Sequence, residues 1–82
     1  MAKYLTTNKF LTFSVIYEAA PEGGYIAFAP SLPGCHSQGE TLEETEKNIK
    51  EAIELYLESL KESKQKIPVQ ERILQGQIQV QI

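Results

Sequence analysis

The stretch FLTFSVIYEAAPEGGYIAFAPSLPGCHSQGETLEETEKNIKEAIELYLESL, Phe10 to Leu60, decides the fold. Its first nine residues alternate, with Leu11, Phe13, Val15 and Tyr17 on one side and Phe10, Thr12, Ser14 and Ile16 on the other. That is the period of a strand with one strongly apolar face. The following AAPEGG, residues 19–24, combines a proline with two adjacent glycines, which is turn chemistry between two β-prone runs. Tyr25 to Ala29 then reads as the returning strand of a hairpin, closed by Pro30, which has no N–H to give to a ladder. Pro33 and Gly34 occupy the centre of a type II turn, where proline presets the first φ and glycine accepts the positive second one. Cys35 to Gln38 is a short third strand, broken at Gly39 and Glu40.

Thr41-Leu42-Glu43-Glu44 has the T-x-x-E pattern of a capping box, in which Thr41 accepts from the Glu44 N–H and the Glu44 carboxylate reaches back to the Thr41 N–H. Leu42, Ile49, Ala52, Ile53, Tyr56, Leu57 and Leu60 form one apolar stripe along the helix that starts there. The outer face carries Glu and Lys four apart (Glu43/Lys47, Glu46/Lys50, Lys47/Glu51), each pair worth only about 0.2 to 0.5 kcal/mol. Burial of the stripe therefore holds this helix. Lys61, Lys64 and Lys66 suit the negative pole at its end, and residues 61–74 read as helix end, connector and one further turn, with Pro68 barring continuation. The chain closes on a second alternation, in which Gln77, Gln79 and Gln81 separate Ile78, Val80 and Ile82. This is a strand with one buried and one wet face, and its lack of charge and proline makes it hazardous unless paired. The expected fold is α+β, in the order β-β-β-α-β, with one helix on one face of a mixed sheet of about four strands. A parallel fourth strand would follow a right-handed crossover.

Composition narrows the function. The chain has 82 residues, 41% hydrophobic and 23% charged, enough for one thin-cored domain that buries about 60 to 65% of its extended surface. The eleven acids are all Glu, against eight Lys plus Arg, and the net charge is −3. A protein working through a basic nucleic-acid footprint is thereby disfavoured, and a basic partner fits better. The single Cys35 rules out an internal disulfide, and neither a leader-like apolar run nor a membrane-length one follows Met1, so a cytoplasmic location is expected.

Cys35 and His36 are the only Cys and the only His, and on a strand they point to opposite faces, which argues against a thiolate–imidazole pair. They also fall short of a zinc ligand set. Glycines 23, 24 and 34 lack phosphate-loop spacing. No catalytic residue, metal site or cofactor is expected. One helix covers one face of a sheet, yet the first two strands carry apolar residues on both faces, with Phe10, Ile16, Ile26 and Phe28 left over. That surplus predicts self-association, as a homodimer or homotetramer, or a protein partner.

The segment from Gly23 to Leu60 resembles the N-terminal domain of the HicB antitoxin family. The family's elements are matched by Gly23-Gly24-Tyr25, the turn Pro30-Ser31-Leu32-Pro33-Gly34-Cys35, Gly39, Thr41 to Glu44, and the helix centre Ala52-Ile53-Glu54-Leu55-Tyr56-Leu57. The resemblance extends over about residues 10–82, because the family also closes on an alternating strand after a Pro-containing connector. It implies a truncated ribonuclease-H-like fold. It also implies an antitoxin of a type II toxin-antitoxin system that masks the active site of a HicA-type toxin, a small basic mRNA-cleaving ribonuclease. Many members add a C-terminal DNA-binding module. None follows here before Ile82, so residues 1–82 are read as a single HicB-like domain and promoter binding is not expected. The motif's Pro, Gly and aromatic positions mostly serve the fold, so toxin contacts are placed around the first hairpin, at Glu18, Glu22 and Tyr25. Ribonuclease H chemistry needs a carboxylate cluster that includes an Asp in the first strand. This sequence has no Asp, and its first strand offers only Glu18 at its end. The competing reading is a self-assembling interaction or ligand-binding module of the same fold with no toxin.

Overall fold

The computed structural model describes residues 10–68 and 73–82. Three strands, β1 (Ile16–Ala19), β2 (Tyr25–Phe28) and β3 (His36–Gly39), precede one long helix, α1 (Leu42–Glu62). The strands form an antiparallel sheet in sequence order. Its register sets Tyr17 beside Ala27 and Ala27 beside Ser37 on the face under α1, and Glu18 beside Ile26 and Ile26 beside Gln38 on the open face.

The turns form where the glycines and prolines require them. In the first hairpin the Gly23 N–H donates to the Ala20 carbonyl (3.0 Å) and the Ala20 N–H to the Gly24 carbonyl (2.9 Å), with Gly23 and Gly24 at φ +111° and +80°. Pro33-Gly34 makes the type II turn, with Gly34 at φ +82° and the Cys35 N–H donating to the Leu32 carbonyl at 2.9 Å. A second turn lies directly before it, the Leu32 N–H donating to the Ala29 carbonyl, and the Ala29 N–H donates to the Cys35 carbonyl. These three bonds close residues 29–35 into a compact loop that drives Leu32 and Cys35 into the core.

The buried core is small: Ala27, Ala29, Leu32, Cys35 and Ile49, with Phe13, Val15, Ala52, Ile53, Tyr56 and Leu57 packed around it. The small side chains of Ala27 and Ala29 let α1 lie close to the sheet. The closest approach is at Gly39, where an added Cβ would lie 2.7 Å from the Thr45 nitrogen and 2.8 Å from its Oγ1. Helix and β3 therefore touch backbone to backbone, and Thr45 is fully buried. Its hydroxyl is satisfied by donating to the Thr41 carbonyl at 2.7 Å.

Four expectations need correction. The first strand, expected over residues 10–18, is regular only from Ile16, because Ile16 pairs with Phe28 and β2 ends there, so β2 offers the earlier residues no partner. Leu42, placed in the buried stripe, is 47% exposed; Thr45 takes its position because the Gly39 contact turns that side of the first turn inward. Glu44 reaches back to the Glu40 N–H (2.6 Å) rather than that of Thr41. The fourth strand is not among the described pairings: residues 73–82 carry no strand pairing within one copy, and the described sheet is antiparallel with three strands, not mixed with four. Ile78, Val80 and Ile82 are exposed at 88, 74 and 115%. The helix ends at Glu62, well before Pro68, and the further turn expected in the connector falls partly on residues 69–72, outside the described residues.

Candidate partner-binding site

The first hairpin and the start of α1 enclose an open hollow of about 470 Å³, lined by Glu22, Tyr25, Gln38, Glu40, Glu44 and Asn48 among others. Each wall has a local cause. The Gly23-Gly24 turn carries Glu22 over the rim, and Tyr25, first residue of β2, stands opposite Ala19 and Gly39. An added Cβ at Gly24 would lie 2.7 Å from the Gly39 carbonyl, so glycine is required for the hairpin to sit against the end of β3. Across the hollow, Thr41 caps α1 by accepting the Glu44 N–H at 3.0 Å. Asn48 Nδ2 donates to the Gln38 carbonyl at 2.7 Å and ties the helix to the edge strand.

The three carboxylates differ in what they are free to do. Glu44 is engaged at the helix start, where its carboxylate accepts the Glu40 N–H. Glu22 and Glu40 are exposed. The hollow therefore presents negative charge and the amide groups of Gln38 and Asn48 beside the Tyr25 ring, a set that suits the ammonium or guanidinium of a basic partner. Beyond it, α1 carries seven Glu against three Lys.

Of the residues placed by sequence, Glu22 and Tyr25 meet at this hollow, whereas Glu18 does not line it. Glu18 lies on the open face beside Ile26, next to the row Ile16, Phe28 and His36. Gln38, Glu40, Glu44 and Asn48 carry no sequence signal for a site. Glu44 was legible only as a cap, and nothing local tells that a capping residue shares a hollow with a hairpin tip. Cys35 is 5% exposed, and burial raises its thiol pKa above the ordinary value. His36 is exposed on the neighbouring position, its Nδ1 3.1 Å from the Gly34 carbonyl. Among the described residues no three His, Cys, Asp or Glu side chains come together to hold a metal ion. No helix among them is long and apolar enough to cross a membrane.

A family model described as "HicB_like antitoxin of bacterial toxin-antitoxin system" matches residues 13–81. The chain belongs to this family. Among its relatives, a UPF0150 protein of Synechocystis sp. is 47% identical over 70 residues, covering 85% of this chain and 89% of the relative. A UPF0150 protein of Thermoplasma acidophilum is 47% identical over 58 residues, 71% of this chain and 84% of its own. A third, from Helicobacter pylori, reaches 64% over 39 residues, 48% of this chain and 54% of the relative. The HicB-like match takes in the sheet, α1 and the alternating tail, including elements that the described sheet does not contain.

Proposed function

We propose that this HicB-like chain is the antitoxin of a type II toxin-antitoxin pair and masks the active site of a HicA-type, mRNA-cleaving toxin. The observation that carries this reading is the family match over residues 13–81. The acidic character of the surface supports it, since a ribonuclease that grips RNA phosphates is basic and its active site attracts carboxylates. Glu22, Glu40 and Tyr25 at the hollow are the proposed contacts, with Glu18 on the open face a separate one. The role is binding, not catalysis, and on this reading a ribonuclease-H-like ancestry supplies only the scaffold. The test is co-expression with a HicA-type toxin, taken from beside this gene where a small basic protein is encoded there: growth is restored and the two proteins copurify. Continued toxicity, with no complex, overturns the proposal.

A second reading is self-assembly without a toxin, which the exposed Ile78, Val80 and Ile82 favour. A gene with no small basic neighbour, together with a stable homo-oligomer of the purified protein, would decide for it. Each reading is a cytoplasmic one.

A further inference from the structure

Residues 73–82 contain Leu74, Ile78, Val80 and Ile82, exposed at 83, 88, 74 and 115%, and not one charged side chain. In water such a segment is a bare β-edge, and its three alternating apolar positions span about 13 Å at strand rise. The complement lies on the same molecule. Between the segment leading into β1 and the middle of α1 runs an apolar cleft of about 800 Å³. Phe13, Val15 and Tyr17 form one wall and Ile49, Ile53 and Leu57 the other, with Glu46, Lys50, Glu54 and Lys61 among its lining. The strand-side wall draws on every second residue, as the apolar positions of the tail do. α1 lies against β2 and β3 and makes no comparable contact with β1, which is an edge of the described sheet.

Within one copy the tail does not take this place. α1 ends in a left-handed residue, Lys64 at φ +59°, and the connector contains Pro68, which fixes its own φ and biases Ile67 to extended backbone.

We infer that residues 77–82 of one copy add along the edge made by β1 and the segment leading into it in a second copy, seating Ile78, Val80 and Ile82 in the cleft between that edge and α1, and that the exchange is reciprocal. A two-fold arrangement fills both clefts, removes both bare edges and closes, so it stops at a dimer. A second copy is the occupant because an uncharged strand matches an apolar slot, whereas a basic partner would be drawn to the acidic hollow at the hairpin. The inference is independent of the toxin reading, and its test contains no toxin.

The test uses the full chain. Light scattering after size exclusion at micromolar concentration is expected to give twice the 9.2 kDa of one chain. Val80→Lys places a charge at the centre of the tail, and Tyr17→Lys places one at the mouth of the cleft, where Tyr17 is 38% exposed. Each variant alone is expected to be monomeric with unchanged helical circular dichroism. An equimolar mixture is expected to dimerise at concentrations where each variant alone is monomeric, because one of its two junctions joins an intact tail to an intact cleft while the other collects both substitutions. Hydrogen exchange should show protection of amides 77–82 that disappears on dilution. A wild-type monomer, a dimer that survives Val80→Lys, or two folded variants that fail to complement would each overturn the exchange. Concentration-independent protection of 77–82 in a monomer would show instead that the tail returns within its own chain.

Discussion

At Gly39 the absence of a side chain is itself a structural element. Its φ lies outside the positive region, so the requirement is space and not backbone freedom: a Cβ would meet the Thr45 backbone nitrogen at 2.7 Å and Cα at 3.0 Å. Backbone atoms cannot swing aside as a flexible side chain does, so α1 must back away from β3. Gly39→Ala is expected to cost about 1 to 3 kcal/mol, the range of overpacked cores, read from the midpoint of a urea unfolding curve. Lys64 is the opposite case. The Gln65 N–H donates to the Leu60 carbonyl (2.8 Å) and the Lys64 N–H to that of Lys61 (3.0 Å), the 6→1 and 5→2 bonds of a Schellman end with Lys where glycine is usual. Lys64→Gly relieves the left-handed strain, partly offset by glycine's greater freedom when unfolded. A gain of about 0.5 to 1 kcal/mol is expected by the same measurement.

At the scale of elements, most of the fold was legible because its signals are local. Pro33-Gly34, Gly23-Gly24 and Thr41 with Glu44 each specify a turn or a cap within four residues, and each forms. Element lengths were not legible, because they depend on neighbours. Phe10 to Ser14 has the alternation of a strand, but β2 stops at Phe28 as its chain turns off through Pro30. Exchange of Leu42 for Thr45 in the buried row likewise needs the Gly39 contact, which no helical periodicity encodes. Thr41→Ala removes the acceptor for the Glu44 N–H and should cost about 1 kcal/mol. The loop 29–35 yields a pH prediction. Burial raises the Cys35 pKa, and burial followed by the Glu46 carboxylate raises that of Tyr17. A raised pKa means that the folded protein binds protons more tightly than the unfolded chain. Stability is then fully present below the unfolded-state pKa values and falls as pH rises through the folded ones, on the alkaline side. Cys35→Ala should lessen that alkaline loss in melting experiments and leave the Tyr17 part.

At the scale of the molecule, the candidate site was half legible. Glu22 and Tyr25 were found because a hairpin tip is visible in sequence, while Glu40 and Asn48 join them only through the packing of α1 across the sheet. Glu18 shares the open face with Ile26 and Gln38 but stands on β1, beyond the lining of the hollow. This arrangement makes the two groups separable by experiment. The proposed partner is basic, so its encounter with the hollow and with the Glu-rich α1 is steered over distances comparable with the Debye length, about 10 Å at 0.1 M salt and 3 Å at 1 M. The association rate for the copurified toxin should therefore fall roughly tenfold or more over that range, with the dissociation rate changing much less. Glu22→Gln with Glu40→Gln should reduce both the rate at low salt and its salt dependence, because these carboxylates are exposed and their removal leaves no buried group unpaired. Glu18→Gln tests β1 independently, and stopped-flow rates in each background assign the steering to the hollow or to β1. A rate insensitive to salt in the wild type would mean that the acidic surface takes no part in recognition and that contact is made through apolar side chains.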